Sequence, residues 1–176
     1  MLFRSPSRGL SAAELGTALE LATRGVPADF LTAYAPTLLD LYLIVHNVEG
    51  VAPGSYYYRR EQHALELLRP GLFRREAGRL GLFQEIPHDA AVNVYLMADL
   101  EPVLARLGAR GYRAAQLEAG LLGGRLYLAA YAQRFGASGL TFLDDEVTDF
   151  FSPHAAGKSV MFLAALGRSV RRPEAA

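Results

Sequence analysis

The sequence predicts an α+β domain in which a mixed, mostly antiparallel sheet is flanked by helices, one of them long and central. Runs of β-favouring apolar residues alternate with amphipathic segments of helical spacing along the chain. The 176 residues suffice for one well-filled core and are few for two. No repeat, low-complexity segment or linker interrupts this pattern, so residues 1–176 are interpreted as a single domain.

The first half of the chain has clear start and stop signals for short elements. Ser11 and Glu14 have the spacing of a capping box, so a helix is predicted to begin there and to stop before Gly25 and Pro27. A continuous β-favouring run then predicts a buried strand, and two further runs joined by a polar turn predict a hairpin. The predicted elements are a helix at 11–23, strands at 39–45, 55–58 and 64–68, and a helix at 72–83.

The second half is dominated by one long predicted helix. It contains Gly120, Gly123 and Gly124, each of which would cost up to roughly 1 kcal/mol in a solvated helix. These small residues predict the close approach of another backbone. Asp144 is predicted to cap a later short helix. The predicted elements are a strand at 91–97, a helix at 101–107, the long helix at 112–135, an extended piece at 140–142, a helix at 144–151 and a strand at 159–166.

Composition excludes several classes of protein. The absence of cysteine excludes disulfides, thiolate nucleophiles, iron–sulfur clusters and cysteine-based zinc sites. Lysine plus arginine and aspartate plus glutamate both number 18, so no net field favours nucleic acid. The most apolar stretch, 117–128, is interrupted by Glu118 and Arg125 and does not predict a membrane span. The start has no apolar signal core, and a soluble cytoplasmic protein is expected.

The histidines do not predict a metal site. They are scattered without the spacing of metal ligands and are expected at the surface or in turns: His46, His63, His88 and His154. No metal is therefore expected. The apolar share of 51% is slightly high, which favours some surface being buried in a second subunit.

Three internal segments and the start of the chain are similar to one known family. Residues 41–68, 111–130 and 136–147, with Arg4-Ser-Pro-Ser-Arg8 before them, resemble segments found in the same order in SagB-type dehydrogenases of the nitroreductase superfamily. The resemblance implies a nitroreductase-like fold, a homodimer with FMN at the subunit interface, and hydride transfer through the flavin by a ping-pong mechanism. In the SagB branch the usual context is oxidation of azolines to azoles in modified peptides, so a heteromeric partner in a modification complex is also implied.

The start of the chain is the first candidate for the flavin phosphate site. Arg4 and Arg8 bracket Ser5 and Ser7 just before a predicted helix, and guanidinium groups suit phosphate oxygens. On the residues alone, a solvated basic terminus is the simpler interpretation. The resemblance implies instead that this motif holds the phosphate and the ribityl chain.

Two later segments complete the candidate site. The predicted loop 138–141 is implied to place backbone N–H groups against the flavin ring, with a plain glycine-rich connection as the alternative. Arg168, Arg171 and Arg172 are implied to reach the phosphate, with a solvated tail as the alternative. No catalytic residue is predicted. The predicted cofactor-binding residues are Arg4, Ser5, Ser7, Arg8, Thr32, Ser138, Gly139, Leu140, Thr141, Arg168 and Arg172.

Three features depart from the family's pattern. Where relatives have Pro-Ser-x-Gly, this chain has Leu31-Thr-Ala-Tyr34, so Thr32 can replace the hydroxyl while Tyr34 replaces a glycine. The family's glutamine–asparagine pair in the long helix is Gly124-Arg125, and the lysine–tyrosine pair associated with azoline oxidation has no counterpart. Two alternatives to an FMN-dependent oxidoreductase therefore stay open: a degenerate, non-catalytic subunit acting as scaffold or partner, and a flavin carrier without a productive substrate site.

Overall fold

The computed structural model describes residues 9–32 and 36–168, and in these the chain forms a six-stranded antiparallel sheet covered by helices on both faces. The strands are β1 (Leu10–Ser11), β2 (Asp40–Val45), β3 (Val48–Glu49), β4 (Gly54–Arg59), β5 (Ala64–Pro70), β6 (Val92–Asp99), β7 (Gly136–Leu140) and β8 (Lys158–Gly167). The helices are α1 (Ala12–Thr23), α2 (Arg74–Leu80), α3 (Glu85–Asp89), α4 (Leu100–Leu107), α5 (Arg110–Ala132) and α6 (Asp144–Phe151).

The order of the strands places β7 and β5 at opposite edges. The sheet runs β5-β4-β2-β6-β8-β7, and each of these pairings is antiparallel. The short strands β1 and β3 pair in parallel beside it. The predicted α+β class, with its mostly antiparallel sheet and long helix, is confirmed. None of the helices in the described ranges is long and apolar enough to cross a membrane.

Strand β2 shows why the central strands are continuously apolar. Leu41, Leu43 and Val45 belong to the core cluster shared with α1 and α5. Tyr42 and Ile44 point to the other face, into the cluster shared with α2 and α6. Because side chains alternate between the faces of a strand, a strand covered by helices on both sides has no polar position. The predicted buried strand is confirmed.

The predicted capping box at the start of α1 is present. The Ser11 hydroxyl accepts from the Glu14 amide at 3.1 Å, and the Glu14 carboxylate accepts from the Ser11 amide at 2.8 Å. The box fixes where the chain turns into α1, whose buried residues pack against α5. By contrast, Asp144 is the first residue of α6 and not its cap; the capping position is Leu143, and no side chain bonds there.

The helix predicted at 72–83 is wrong in extent, because α2 ends at Leu80 and a second helix, α3, follows. A Cβ added to Gly81 would lie 2.5 Å from Cγ of Pro87, so α3 packs directly on the end of α2. The turn between them places Leu82 and Phe83 at positive φ, near +57° and +59°. Bulky residues seldom adopt that conformation, so the sequence contains no turn signal there.

The loop predicted at 138–141 is also wrong, because Gly136–Leu140 is strand β7. The extended piece predicted at 140–142 overlaps this strand only at Leu140. The Phe162 ring of β8 explains why residues 123 and 139 are glycines. A Cβ at Gly139 or at Gly123 of α5 would lie 2.8 Å from a ring carbon of Phe162. Gly123 therefore allows close approach of a ring, not of a backbone, and Gly120 and Gly124 face open space.

His46 lies inside the protein, contrary to the expectation that the histidines sit at the surface or in turns. It follows β2, and its Nδ1 lies 3.1 Å from the Ala90 carbonyl oxygen. Because that oxygen can only accept, Nδ1 carries the proton. Burial, together with the positive charge of Arg74, lowers the pKa of His46 to about 4, so the ring is neutral at neutral pH.

Candidate functional site

The structure brings the beginning of α1 to the end of β8, where Arg168 follows the strand. The Arg168 guanidinium donates from Nη2 to the Glu14 carboxylate and from Nη1 to the Arg134 carbonyl oxygen at 3.1 Å. Its Nε is buried and has no hydrogen-bond partner. Arg4, Ser5, Ser7, Arg8, Arg171 and Arg172 lie outside the described residues.

Gly9, the first described residue, is packed tightly against Asn47. A Cβ at Gly9 would lie 2.4 Å from the Asn47 carbonyl oxygen, and the Leu10 amide donates to that oxygen at 3.2 Å. The chain is therefore held tightly directly after Arg8 and immediately before the capping box. Hydrogen bonds from the Ser11 backbone and from Arg168 lower the pKa of Glu14, so this carboxylate is charged at neutral pH.

The remaining predicted contacts, residues 138–141, lie at the end of β7 away from Arg168. Gly136 pairs with Gly167, beside Arg168, whereas Leu140 pairs with Leu163 further along β8. The Gly139 amide, predicted to face a ligand, donates to the Tyr127 hydroxyl. Ser138 and Leu140 are partly exposed and Thr141 is exposed, so these predicted residues keep accessible surface.

Gln84 joins this end of the site. Its amide Nε2 lies 3.3 Å from the Thr141 hydroxyl and 2.8 Å from the Gly81 carbonyl oxygen. The neighbouring Phe83 side chain is 77% exposed. The sequence offers no signal for this contact, since it depends on the turn in which Leu82 and Phe83 take positive φ.

The segment before β2 is anchored by Glu118 of α5. Glu118 is 1% exposed, and its two carboxylate oxygens accept from the Thr37 hydroxyl at 2.6 Å and the Leu38 amide at 2.7 Å. In the sequence, Glu118 was notable only as a charge within an apolar stretch. Thr32, the predicted replacement for the family's serine, is exposed, and Tyr34 lies outside the described residues.

Arg125, one of the departures in the long helix, has a structural contact. Its guanidinium donates to carbonyl oxygens at the end of α1, including Arg24 and, at 3.2 Å, Gly25. Cations at a helix carboxyl terminus interact favourably with its exposed carbonyl groups. Arg125 therefore joins α5 to the end of α1.

The outer surface of α5 carries an apolar stripe, which we call the outer stripe. Its members are exposed and recur four, three, four and three residues apart: Leu117, Leu121, Gly124, Leu128 and Tyr131. This spacing is typical of one helix packing along another. Gly124, where a side chain would meet open space, lies at its centre.

Comparisons with known proteins agree with this fold. The model of the nitroreductase family matches residues 5–167, and the chain belongs to that family. A protein from Anabaena variabilis, provisionally named a nitroreductase, is 31% identical with a TM-score of 0.82, over 95% of this chain and 37% of that one. This chain thus spans little more than a third of that protein's length. A search of curated proteins finds no match.

Two more distant structures share the fold alone. A chain of the E. coli microcin synthetase McbBCD complex, with truncated pro-MccB17 bound, is 18% identical, with a TM-score of 0.76 over 96% of this chain and 70% of that one. The NADPH:FMN oxidoreductase from Vibrio harveyi, complexed with NAD+, is 13% identical, with a TM-score of 0.62 over 100% of this chain and 68% of that one.

Proposed function

We propose that this protein is an FMN-dependent oxidoreductase in which Arg168 binds the flavin phosphate together with Arg4 and Arg8. The observation that carries the proposal is the buried Nε of Arg168, which lacks a hydrogen-bond partner beside the beginning of α1. A buried cationic donor without a partner is costly, and a phosphate oxygen would satisfy it. The amino terminus of α1 also favours negative charge there.

The ring would lie at the other end of β7, near Leu140, Thr141 and Gln84. Supporting this, Thr141 is exposed and Gln84 has a side-chain amide that can turn from Thr141 to a polar ring edge. Arg168 and Thr141 flank opposite ends of one strand, as the phosphate and ring of an extended FMN require. FMN supplies the hydride chemistry when bound, and the residues of the chain bind and orient it. Thr32, Ser5 and Ser7 remain predicted contacts.

The proposed assembly is a homodimer with FMN at the subunit interface. The outer stripe of α5 supports it, because regularly spaced leucines exposed on one helix are matched by the same stripe on a second copy across a two-fold axis. The McbBCD chain belongs to a multi-subunit complex. By the resemblance to SagB-type dehydrogenases, we extend the proposal to modification of peptides or natural products, with a heteromeric partner.

The second candidate is a non-catalytic subunit that acts as a scaffold or partner. It is favoured by Arg125, whose guanidinium is committed to the end of α1 at a position where the family has an amide side chain. In this case the fold would be kept while the flavin pocket is lost. FMN binding separates the two candidates.

We expect Arg168→Gln to weaken FMN binding about tenfold or more, because a charge-assisted hydrogen bond to phosphate is lost. Glu14→Gln is the matched control. Glutamine can keep the capping box, but the variant frees Arg168 from its carboxylate, so FMN should bind equally well or more tightly. Arg24→Gln, which removes an exposed ion pair with Glu20, should leave the affinity for FMN unchanged.

Fluorescence titration of the apoprotein with FMN measures the three affinities. Equal weakening in Arg168→Gln and Glu14→Gln would mean that Arg168 acts by holding α1 in place. An unchanged affinity in Arg168→Gln would contradict the proposed phosphate site.

A further inference from the structure

A cavity lies between the segment before β2 and the β4–β5 turn. Its volume is about 330 Å³, within the range of small-molecule sites. The lining residues used below are Thr37, Leu39, Asp40, Tyr57, Arg59, Arg60 and Glu61. Strands β6 and β8 separate β2 from β7, which puts roughly 14 Å between β2 and β7, so this cavity is separate from the β7 residues proposed to lie near the flavin.

Arg60 is the unusual feature of this cavity. One terminal nitrogen of its guanidinium, Nη2, is buried and has no hydrogen-bond partner. Burial lowers the pKa of Arg60, and the negative charges of Glu118 and Asp40 only partly oppose this effect. A guanidinium withdrawn from water without a bonded anion is unfavourable.

The two carboxylates whose charges act on Arg60, Glu118 and Asp40, are committed to other donors. Both oxygens of Glu118 accept from the segment before β2, at Thr37 and Leu38. Asp40 accepts from the Tyr57 hydroxyl at 2.9 Å and pairs with Lys158 at 2.7 Å. The adjacent Arg59 differs, since it is exposed and paired with Glu66 at 2.6 Å.

From these contacts we infer that the cavity binds a small organic monocarboxylate, whose carboxylate pairs with Arg60. The guanidinium fork matches a carboxylate in two parallel hydrogen bonds. The Tyr57 ring and Leu39 supply apolar surface for the rest of the ligand. Asp40 and Glu61 in the wall disfavour a second negative charge, so phosphate is a poorer occupant.

The test is a titration with sodium benzoate at constant ionic strength, followed by saturation-transfer NMR on the benzoate protons. We expect saturable binding that Arg60→Gln weakens about tenfold or more. The matched control, Arg75→Gln at an exposed arginine of α2 that does not line the cavity, should leave the affinity within about twofold. Inorganic phosphate at the same ionic strength should not displace benzoate.

Three results would overturn the inference: no saturable binding, the same affinity in Arg60→Gln as in the native protein, or displacement by phosphate. If benzoate instead bound beside a flavin, Arg60→Gln would bind it with the same affinity as the native protein. The test therefore does not depend on whether the protein binds FMN. Circular dichroism checks the folding of each variant. If Arg60→Gln does not fold, Arg60→Lys replaces it, with the same loss expected because an ammonium lacks the fork.

Discussion

Leu128→Asp is expected to convert the proposed homodimer to a monomer, weakening self-association by at least about a hundredfold. Leu128 is 70% exposed and lies in the outer stripe of α5. In a dimer formed by this stripe, the new carboxylate would be buried twice, once from each copy, against apolar side chains and without a partner. Light scattering coupled to size-exclusion chromatography measures the mass.

Leu72→Asp is the matched control for this prediction. Leu72 is 73% exposed but lies between β5 and α2, away from the outer stripe, so its replacement should leave the mass unchanged. A native protein that is already monomeric, or a Leu128→Asp variant that remains dimeric, would show that the stripe is not the interface.

Glu118→Ala is expected to lower the free energy of unfolding by about 3–5 kcal/mol. The change leaves the Thr37 hydroxyl and the Leu38 amide without acceptors in a buried position. It also removes the carboxylate whose negative charge most favours the charged form of the partly buried Arg60, which destabilises that cation. Urea unfolding followed by circular dichroism gives the difference.

Two further variants define the cause of the Glu118 effect. Glu118→Gln keeps one acceptor and should lose less stability than Glu118→Ala. Glu101→Ala, at an exposed glutamate of α4, should change stability by no more than about 0.5 kcal/mol. A loss under about 1 kcal/mol in Glu118→Ala would mean that water replaces the carboxylate.

Elements with local signals could be predicted from the sequence. The capping box at Ser11 and Glu14 lies within one turn of helix, and the continuous apolar run of β2 is enough to predict that the strand is buried. Strand β7 and helix α3 could not be predicted in this way. Gly139 of β7 is required by Phe162, and the turn before α3 is shaped by Pro87 packing on Gly81.

The same distinction applies to the candidate site. Arg168 was predicted to bind the flavin phosphate from the family resemblance. The structure adds its ion pair with Glu14, which places it at the beginning of α1. Glu118, Gln84 and Arg125 make their contacts with residues 57 to 103 positions away in the chain. No local pattern reveals such contacts, because only the packed helices and sheet bring these residues together.

The most direct test of the central claim is the visible absorption spectrum of the purified protein, with chromatographic identification of any released chromophore. We predict a yellow protein that releases FMN, or a colourless apoprotein that becomes yellow on addition of FMN and retains it through gel filtration. A protein that stays colourless and does not retain added FMN would contradict an oxidoreductase and leave the scaffold as the remaining candidate.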